Sequence, residues 1–231
     1  MSEHRYHQYC ALARALDVVG DRWTLLIVRE LWPGARRFTD LVEGLPGISR
    51  RLLSERLRDL RRDGIIARKE LRPPAARQVY ELTDQGRDLA TAMAPLAAWG
   101  SRYLGELGPT DRIRPRSSAV GMAILADREA AKGVRETYQY IVGDASFHFI
   151  VDDGSIEVRD GLAEEASVVV RTDEETWMDI LADRITASAA AASGALVVAG
   201  DRQSSKRIGK IFSRDRMLSR PRDAVLADAI A

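Results

Sequence analysis

Cysteine is almost missing from this chain: among 231 residues there is one, Cys10. That excludes an intrachain disulfide and a thiolate cluster for structural zinc. Long apolar runs are missing too, since no stretch reaches the roughly 18–20 residues a membrane span needs. The opening MSEHRYHQYC has no apolar core of the signal-peptide kind. A cytoplasmic protein with no membrane partner is therefore expected. Histidine is scarce. His4, His7 and Cys10 share a three-residue spacing, but no fourth ligand is evident, so no metal site is expected. HExxH, the P-loop, GxSxG and the dinucleotide fingerprint are all absent. No cofactor is expected, and the chain reads as a non-enzyme.

What is present is positive charge in one place. The net charge of +1 hides a split. Residues 1–107 hold 18 basic and 14 acidic side chains, whereas residues 108–231 hold 17 and 20. Within the first part, residues 36–77 alone hold 12 basic and 6 acidic side chains. A local excess of this kind is how an electrostatic footprint for a polyanion looks.

Periodicity divides the chain into two textures. Apolar spacing predicts helices over 8–19 and 21–33, the second with Asp21 as N-cap and a stop at Pro33-Gly34. A short helix, RFTDLVEG, follows, then the turn signal Leu45-Pro46-Gly47, then a helix capped by Ser49 and closed by Gly64. IIARKE and RQVYEL read as two strands joined by the loop LRPPAA. Thr83 caps a long helix in which Pro95 implies a kink or break near Ala94. Helices, hairpin and closing helix make a mainly α winged helix-turn-helix over residues 1–107. Residues 108–118, rich in turn formers and aperiodic, read as a linker.

Beyond the linker, a helix over 118–131 leads into TYQYIV, SFHFIV, SIEVRD and SVVVRT, separated by Gly143-Asp144, Asp153-Gly154 and Asp160-Gly161. Those dipeptides predict a meander of antiparallel strands. A helix capped by Thr172, a small-residue helix ending at Gly194, the strand ALVVAGD and a last helix complete an α+β domain over 119–214. Its sheet is expected to be antiparallel and covered by helices. Residues 215–231 show no pattern and read as a loose tail.

The helix after Ser49 carries the strongest functional signal. In GISRRLLSERLRDLRRDGII, Leu53, Leu57 and Leu60 fall on one face at helical spacing. Six arginines crowd the same segment: Arg50, Arg51, Arg56, Arg58, Arg61 and Arg62. Arg51, Glu55, Arg58 and Arg62 centre opposite the leucines, with Ser54 at the margin, and Glu55, Asp59 and Asp63 compensate the arginines only in part. A recognition helix needs this division, with leucines docked on the preceding helices and N-terminal polar residues reaching base edges in the major groove. Arginine pairs bidentately with guanine, and serine contacts several bases or a phosphate. Arg36 and Arg37 open the preceding helix and are candidate phosphate contacts, while Arg72 and Arg77 flank the wing. The candidate DNA-binding set is Arg36, Arg37, Ser49, Arg50, Arg51, Ser54, Arg58, Arg62, Arg72 and Arg77.

CALARALDVVGDRWTLLIVREL, RRFTDL, LPGISRRLLSERLRDLRRDGII and RQVYELTDQGRDL leading to LAAWG carry a close resemblance to the HxlR family of winged-helix transcription regulators, over residues 10–104. The family's recognition-helix pattern is met at Ser49, Arg51, Leu53, Ser54 and Arg56. Arg50 departs from it, standing where the family often has proline. The resemblance implies a homodimer packed through terminal helices, with Leu12, Leu16, Leu96, Trp99 and Tyr103 as apolar seam positions, and an inverted-repeat operator in double-stranded DNA. It also implies a role for Cys10, since some members carry a reactive cysteine before the first helix. Cys10 reads either as a redox sensor or as a structural cysteine at a dimer interface.

The second domain resembles the sterol-carrier-protein-like fold over about 119–214, on FHFIVDDGSIEVRDG, VVVRTDEETWMDIL and SGALVVAGD ahead of a helix ending in KIF. That fold holds apolar molecules in a tunnel. The candidate effector-binding residues are Tyr138, Tyr140, Phe147, Phe149, Trp177, Ile180 and Leu181, which read equally as the buried face of a sheet. His148, between Phe147 and Phe149, reads as a satisfied sheet histidine. Two functions remain open. One is a dimeric transcription regulator responding to an apolar effector through its second domain. The other is a lipid or small-molecule carrier whose winged helix mediates protein contacts.

Overall fold

The computed structural model describes residues 5–71, 77–100 and 114–212, together with Tyr103, Gly105, Gly108 and Asp111. The chain divides into two compact units, the first ending at Met93 and the second beginning at Ala94. Of the expected linker 108–118, residues 109, 110, 112 and 113 lie outside the described residues, whereas 115–118 are not linker but the first turn of a helix, Pro115–Leu125; the expected tail lies wholly outside the described residues.

The first unit opens with α1 (Ala11–Val19), α2 (Thr24–Leu31), α3 (Phe38–Gly44) and α4 (Arg50–Arg62). β1 (Ile66–Leu71) and β2 (Arg77–Leu82) then form an antiparallel hairpin, Ile66 opposite Leu82 and Leu71 opposite Arg77. α5 (Asp84–Gly100) closes the unit and runs past its boundary. Ile27, Val28 and Leu31 of α2, Leu41 of α3 and Leu53, Leu57 and Leu60 of α4 meet Ile66 and Leu82 of the hairpin in one core. Each leucine buried this fully contributes about 1.5–3 kcal/mol.

Three local expectations are corrected here. Asp21 does not cap α2. Arg56 of α4 takes its carboxylate at 3.2 Å, and the helix begins after Trp23, which sits at φ 79°. Pro95 does not end α5, which continues to Gly100. Arg36 does not open α3. It forms a backbone bridge to β2, its N–H donating to Tyr80 O at 2.9 Å and its C=O accepting from Tyr80 N–H at 2.7 Å. Arg37 is the residue that precedes α3, its own N–H donating to Asp40 Oδ2 at 3.0 Å.

The second unit contains α6 (Pro115–Leu125), β3 (Arg135–Val142), β4 (Ala145–Asp152), β5 (Ser155–Asp160), β6 (Val168–Thr172), α7 (Glu174–Leu181), α8 (Ala187–Ser193), β7 (Leu196–Gly200) and α9 (Arg202–Ile211). The sheet order is β5-β4-β3-β6-β7. β3, β4 and β5 form the predicted meander. At its second turn Asp153 and Gly154 both take positive φ, 46° and 90°, as a two-residue hairpin of this hand requires.

The sheet is not purely antiparallel, because β6 runs parallel to β3. Asp160-Gly161 resembles a hairpin turn, yet the chain does not reverse there. Residues 161–167 instead cross two strands, about 14 Å at the spacing of a sheet. Gln139 and His148 hold that crossing. Gln139 Oε1 accepts from Ala163 N at 2.7 Å, and its Nε2 donates to Phe147 O at 2.9 Å and lies 3.4 Å from Gly161 O. His148 Nδ1 lies 3.2 Å from the same Gly161 oxygen. Ser167 N then donates to Thr137 O at 2.8 Å and sets β6 beside β3.

Two boundaries also move. The first helix of this unit stops at Leu125, short of the expected 131. Asp173, not Thr172, caps α7 by accepting from Thr176 N at 2.7 Å, because Thr172 is the last residue of β6 and its hydroxyl donates to Ala195 O.

Candidate nucleic-acid interface

The site is built by α4 and the elements that present it. Leu45-Pro46-Gly47 turns the chain, with Gly47 at φ 94°, where a side chain would be strained. Ser49 then caps α4, its hydroxyl accepting from Leu52 N at 3.2 Å. Leu53, Leu57 and Leu60 are no more than 2% exposed, so the helix is anchored along its whole length and cannot rotate about its axis without exposing them.

Acidic neighbours sort the arginines. Arg56 is partly buried and pairs with Asp21 at 3.2 Å and Asp59 at 3.5 Å. Arg62 pairs with Asp59 and Asp63, each at 3.0 Å. Arg50, Arg51, Arg58 and Arg61 are exposed and form no ion pair among the described residues, and Ser54 is exposed beside them. On the wing, Arg68 is likewise exposed and unpaired among those residues, whereas its neighbour Lys69 pairs with Glu81 at 2.6 Å. Arg37 is exposed next to α3.

Arg36 is 7% exposed, so its side chain is packed inside the unit and not presented at the surface. Arg72 lies outside the described residues, and of Arg77 only the backbone position at the start of β2 is described. Arg61 and Arg68 are additions that sequence reasoning missed. Arg61 was masked by its closeness to the acidic pair that serves Arg62. Arg68 was signalled only by alternation in the strand, where it follows inward-facing Ile66 two residues on.

The candidate effector residues form a layer in the second unit. Tyr140 stacks on Phe147 with centroids 5.4 Å apart and planes at 7°, and meets Phe149 and Trp177 edge-on at 5.4 and 5.6 Å. Phe147 touches Trp177 at 6.0 Å, and Phe149 touches Phe212 at 4.5 Å. Trp177 Nε1 donates to Ser118 Oγ at 2.9 Å, tying α7 to α6. Tyr138, at one end of the layer, donates to Glu136 Oε2 at 2.7 Å, and Arg207 of α9 donates to the other oxygen of that carboxylate. Burial pushes the Tyr140 phenol well above its ordinary range. Ile180 and Leu181 are half-buried on α7. These rings fill the space between sheet and helices by touching one another. Cys10 is exposed at the N-cap position of α1, and its side chain makes no capping hydrogen bond.

Two family models match different parts of the chain. Residues 18–107 match the model of the HxlR-like helix-turn-helix family. The uncharacterised HTH-type transcriptional regulator YvaP of Bacillus subtilis is 35% identical over 91 residues, which cover 39% of this chain and 84% of that protein. The chain belongs to the HxlR-like helix-turn-helix family. An uncharacterised HTH-type transcriptional regulator of Mycobacterium tuberculosis is 45% identical over 105 residues, 45% of this chain and 66% of the relative. The chain thus spans just under two thirds of the length of that mycobacterial relative. Among solved structures, the reduced form of the transcriptional regulator YodB from B. subtilis is 30% identical, covering 45% of this chain and 100% of that one at a TM-score of 0.38. The HxlR-like match ends at residue 107, and residues 122–213 match the model of the SCP-2 sterol transfer family. Among the described residues, no helix is long and apolar enough to cross a membrane.

Proposed function

We propose that this protein is a dimeric, sequence-specific DNA-binding transcription regulator whose second domain responds to an apolar effector. One observation carries the DNA-binding part. α4 is locked to the core by its leucines, while Arg50, Arg51, Arg58 and Arg61 stand exposed without acidic partners among the described residues. A solvated helix gains by pairing its charges in i,i+3 and i,i+4 positions, as Arg56 and Arg62 do here. Arginines without ion pairs among the described residues favour a polyanion, and relatives 35% and 33% identical bear the name HTH-type transcriptional regulator. The experiment is fluorescence anisotropy of the full-length protein on the promoter region of its own or the adjacent gene, against a scrambled duplex, over a salt series. Binding that is tighter to the promoter and weakens steeply with salt supports the reading. Equal affinity for both duplexes, or none, rejects it.

The dimer reading rests on exposed apolar side chains. Leu12 and Leu16 of α1 are 68% and 39% exposed, and Leu96, Trp99 and Tyr103 are 51%, 50% and 67% exposed. Apolar side chains this large and this exposed, on each unit taken by itself, support pairing with a second copy. For the effector, the support is the match to the SCP-2 sterol transfer family together with the aromatic layer under α7 and α9. The rings in that layer touch one another, so a ligand lodged among them would have to part ring contacts such as Tyr140–Trp177 and Phe149–Phe212. Coupling to DNA then requires different affinity for two arrangements of the dimer, not tight binding alone.

A further inference from the structure

The two edges of the five-stranded sheet are unlike. β5 runs SIEVRD and carries charge along its edge, with Glu157 and Arg159 paired at 2.8 Å. β7 runs LVVAG, without charge or proline, and Val197 and Val198 are 50% and 41% exposed. Sheets blunt an open edge with charge, proline or a covering element, and an uncharged apolar edge invites another strand. Val198 also belongs to the core face. It ends the row Phe147–Tyr140–Val170–Val198, in which the other three side chains are buried. The inner layer thus stops on a valine that no described residue covers. The backbone of β7 has a defined direction as well. Asp201 N donates to Ser167 O at 3.2 Å, toward β6, and Thr172 O accepts from Gly143 N at 3.0 Å, toward β3. Alternation along the β6–β7 ladder then turns Val197 and Ala199 to β6 and puts the backbone groups of Leu196, Val198 and Gly200 on the open edge.

We propose that β7 pairs with β7 of a second copy, antiparallel about a two-fold axis at Val198, so that two sheets become one. The outward backbone groups are centred on Val198. This register therefore sets Val198 opposite Val198 and Leu196 opposite Gly200, and each outward donor meets an acceptor. Val197 comes to lie opposite Ala199, so the exposed valines on both faces are covered. The flanks are complementary in charge. Beyond the ladder, the register brings Arg202 toward Gly194, the C-cap of α8 in the second copy. Arg202 is exposed and has no ion pair among the described residues. It stands in the first turn of its own helix, whose positive end disfavours a cation, whereas the C-terminal carbonyls of α8 favour one. α8 is built of alanine and serine alone, so it sets no like charge against the basic α9. The contact lies apart from the seam through Leu12, Leu16, Leu96, Trp99 and Tyr103 and does not rest on it. Where both form, each raises the effective concentration of the other, and the aromatic layer is tied to the state of assembly through Val198.

The test uses the full chain in a Cys10→Ser background, with cysteine placed at one position of β7 at a time. Across the axis the two Val198 Cα atoms come about 5.5 Å apart, inside the range of about 4.4–6.8 Å that a disulfide spans. The two Val197 residues are offset along the strands and stand about 8 Å apart, beyond that range. Val198→Cys is expected to give a covalent dimer on oxidation with diamide, and Val197→Cys is not. Cross-linking of both alike, or of neither, overturns the proposal. Sedimentation of the full chain supplies a second arm. Val198→Lys sets like charges opposite each other and is expected to raise the dimer dissociation constant at least about tenfold. Val198→Pro is expected to do the same and keep the sheet, since the N–H it removes faces outward. Wild-type association by both variants overturns the proposal and leaves the seam reading standing. Dissociation in Val198→Lys but not in Leu12→Asp/Trp99→Asp supports the proposal and removes the seam. A monomeric wild type overturns both, and slow hydrogen exchange at the Val198 amide of that monomer shows that the chain covers its own edge. Melting curves guard against misfolding, and the cysteine pair keeps the test valid if the proline variant unfolds.

Discussion

Arg51 and Leu53 are two residues apart on α4 and should fail in opposite ways. Leu53 is fully buried in the first core. Replacing it with alanine removes its transfer free energy and leaves a cavity, a loss of about 2–5 kcal/mol. In a unit of roughly ninety residues each kcal/mol moves the melting temperature by about 4–8 °C, so Leu53→Ala should lower it by at least about 8 °C. Arg51 is exposed and has no ion pair among the described residues. Arg51→Ala should therefore leave stability within about 0.5 kcal/mol of wild type. On DNA the order reverses. A base-contacting arginine is worth about 1–3 kcal/mol, a loss of about 5- to 150-fold in affinity, with relaxed preference at one position of the operator. Calorimetry gives the melting temperatures, and anisotropy on an operator with single-base changes gives the affinities, measured below the melting point of the Leu53 variant. If Arg51→Ala melts like Leu53→Ala, or binds every duplex as wild type does, α4 is not divided between core and DNA as argued.

Three other outcomes are expected. Sedimentation at micromolar concentration should report a dimer for wild type and a shift toward monomer for Leu12→Asp/Trp99→Asp, a pair of exposed positions whose change should leave each fold intact. Gln139→Leu should strand Ala163 N and weaken the hold on Gly161 O, costing about 1–3 kcal/mol, and hydrogen exchange should rise in residues 161–167 before the rest of the sheet. Acid should loosen the second unit through Glu136. Burial pushes this carboxylate up, but hydrogen bonds from Arg207 and Tyr138 outweigh burial and hold its pKa below the ordinary 4.5. A depressed folded pKa means that stability is present above the unfolded value and is lost as pH falls below about 4.5. Glu136→Gln should flatten part of that acid limb in pH-dependent unfolding, leaving the share of the capping carboxylates Asp173 and Asp201, which are also depressed.

Much of α4 was legible from local rules. The leucine stripe follows from a 3.6-residue period, and Ser49 and Thr83 act as caps where their side chains meet a helix start. What was not legible depended on partners distant in the chain. Arg36 looks like any surface arginine until β2 comes alongside, when its backbone pairs with Tyr80 and its side chain is enclosed. Thr172 and Asp173 are both capping residues side by side. The ladder with Leu196 assigns Thr172 to β6 and leaves Asp173 to the helix. Asp160-Gly161 matches the hairpin signal of Asp153-Gly154, yet the chain crosses there, its residues held by Gln139, His148 and the backbone oxygen of Ser146. Those buried polar side chains were the available clue, since a buried amide needs several partners and strand pairing satisfies backbone groups only.

The same distinction governs the arginines. Counting charge along the chain marks residues 36–77 as basic, but a count treats Arg36, Arg51, Arg56 and Arg62 alike. Folding separates them into one enclosed guanidinium, one free at the surface and two held by aspartates. Asp21, Asp59 and Asp63 lie at the edge and C-terminal end of α4, so their pairing shields its last turns and leaves the N-terminal turn bare. Arg61 forms no ion pair among the described residues. The functional surface is thus defined by subtraction. Aspartates neutralise Arg56 and Arg62, and the arginines they do not reach among the described residues are the ones available to an anion.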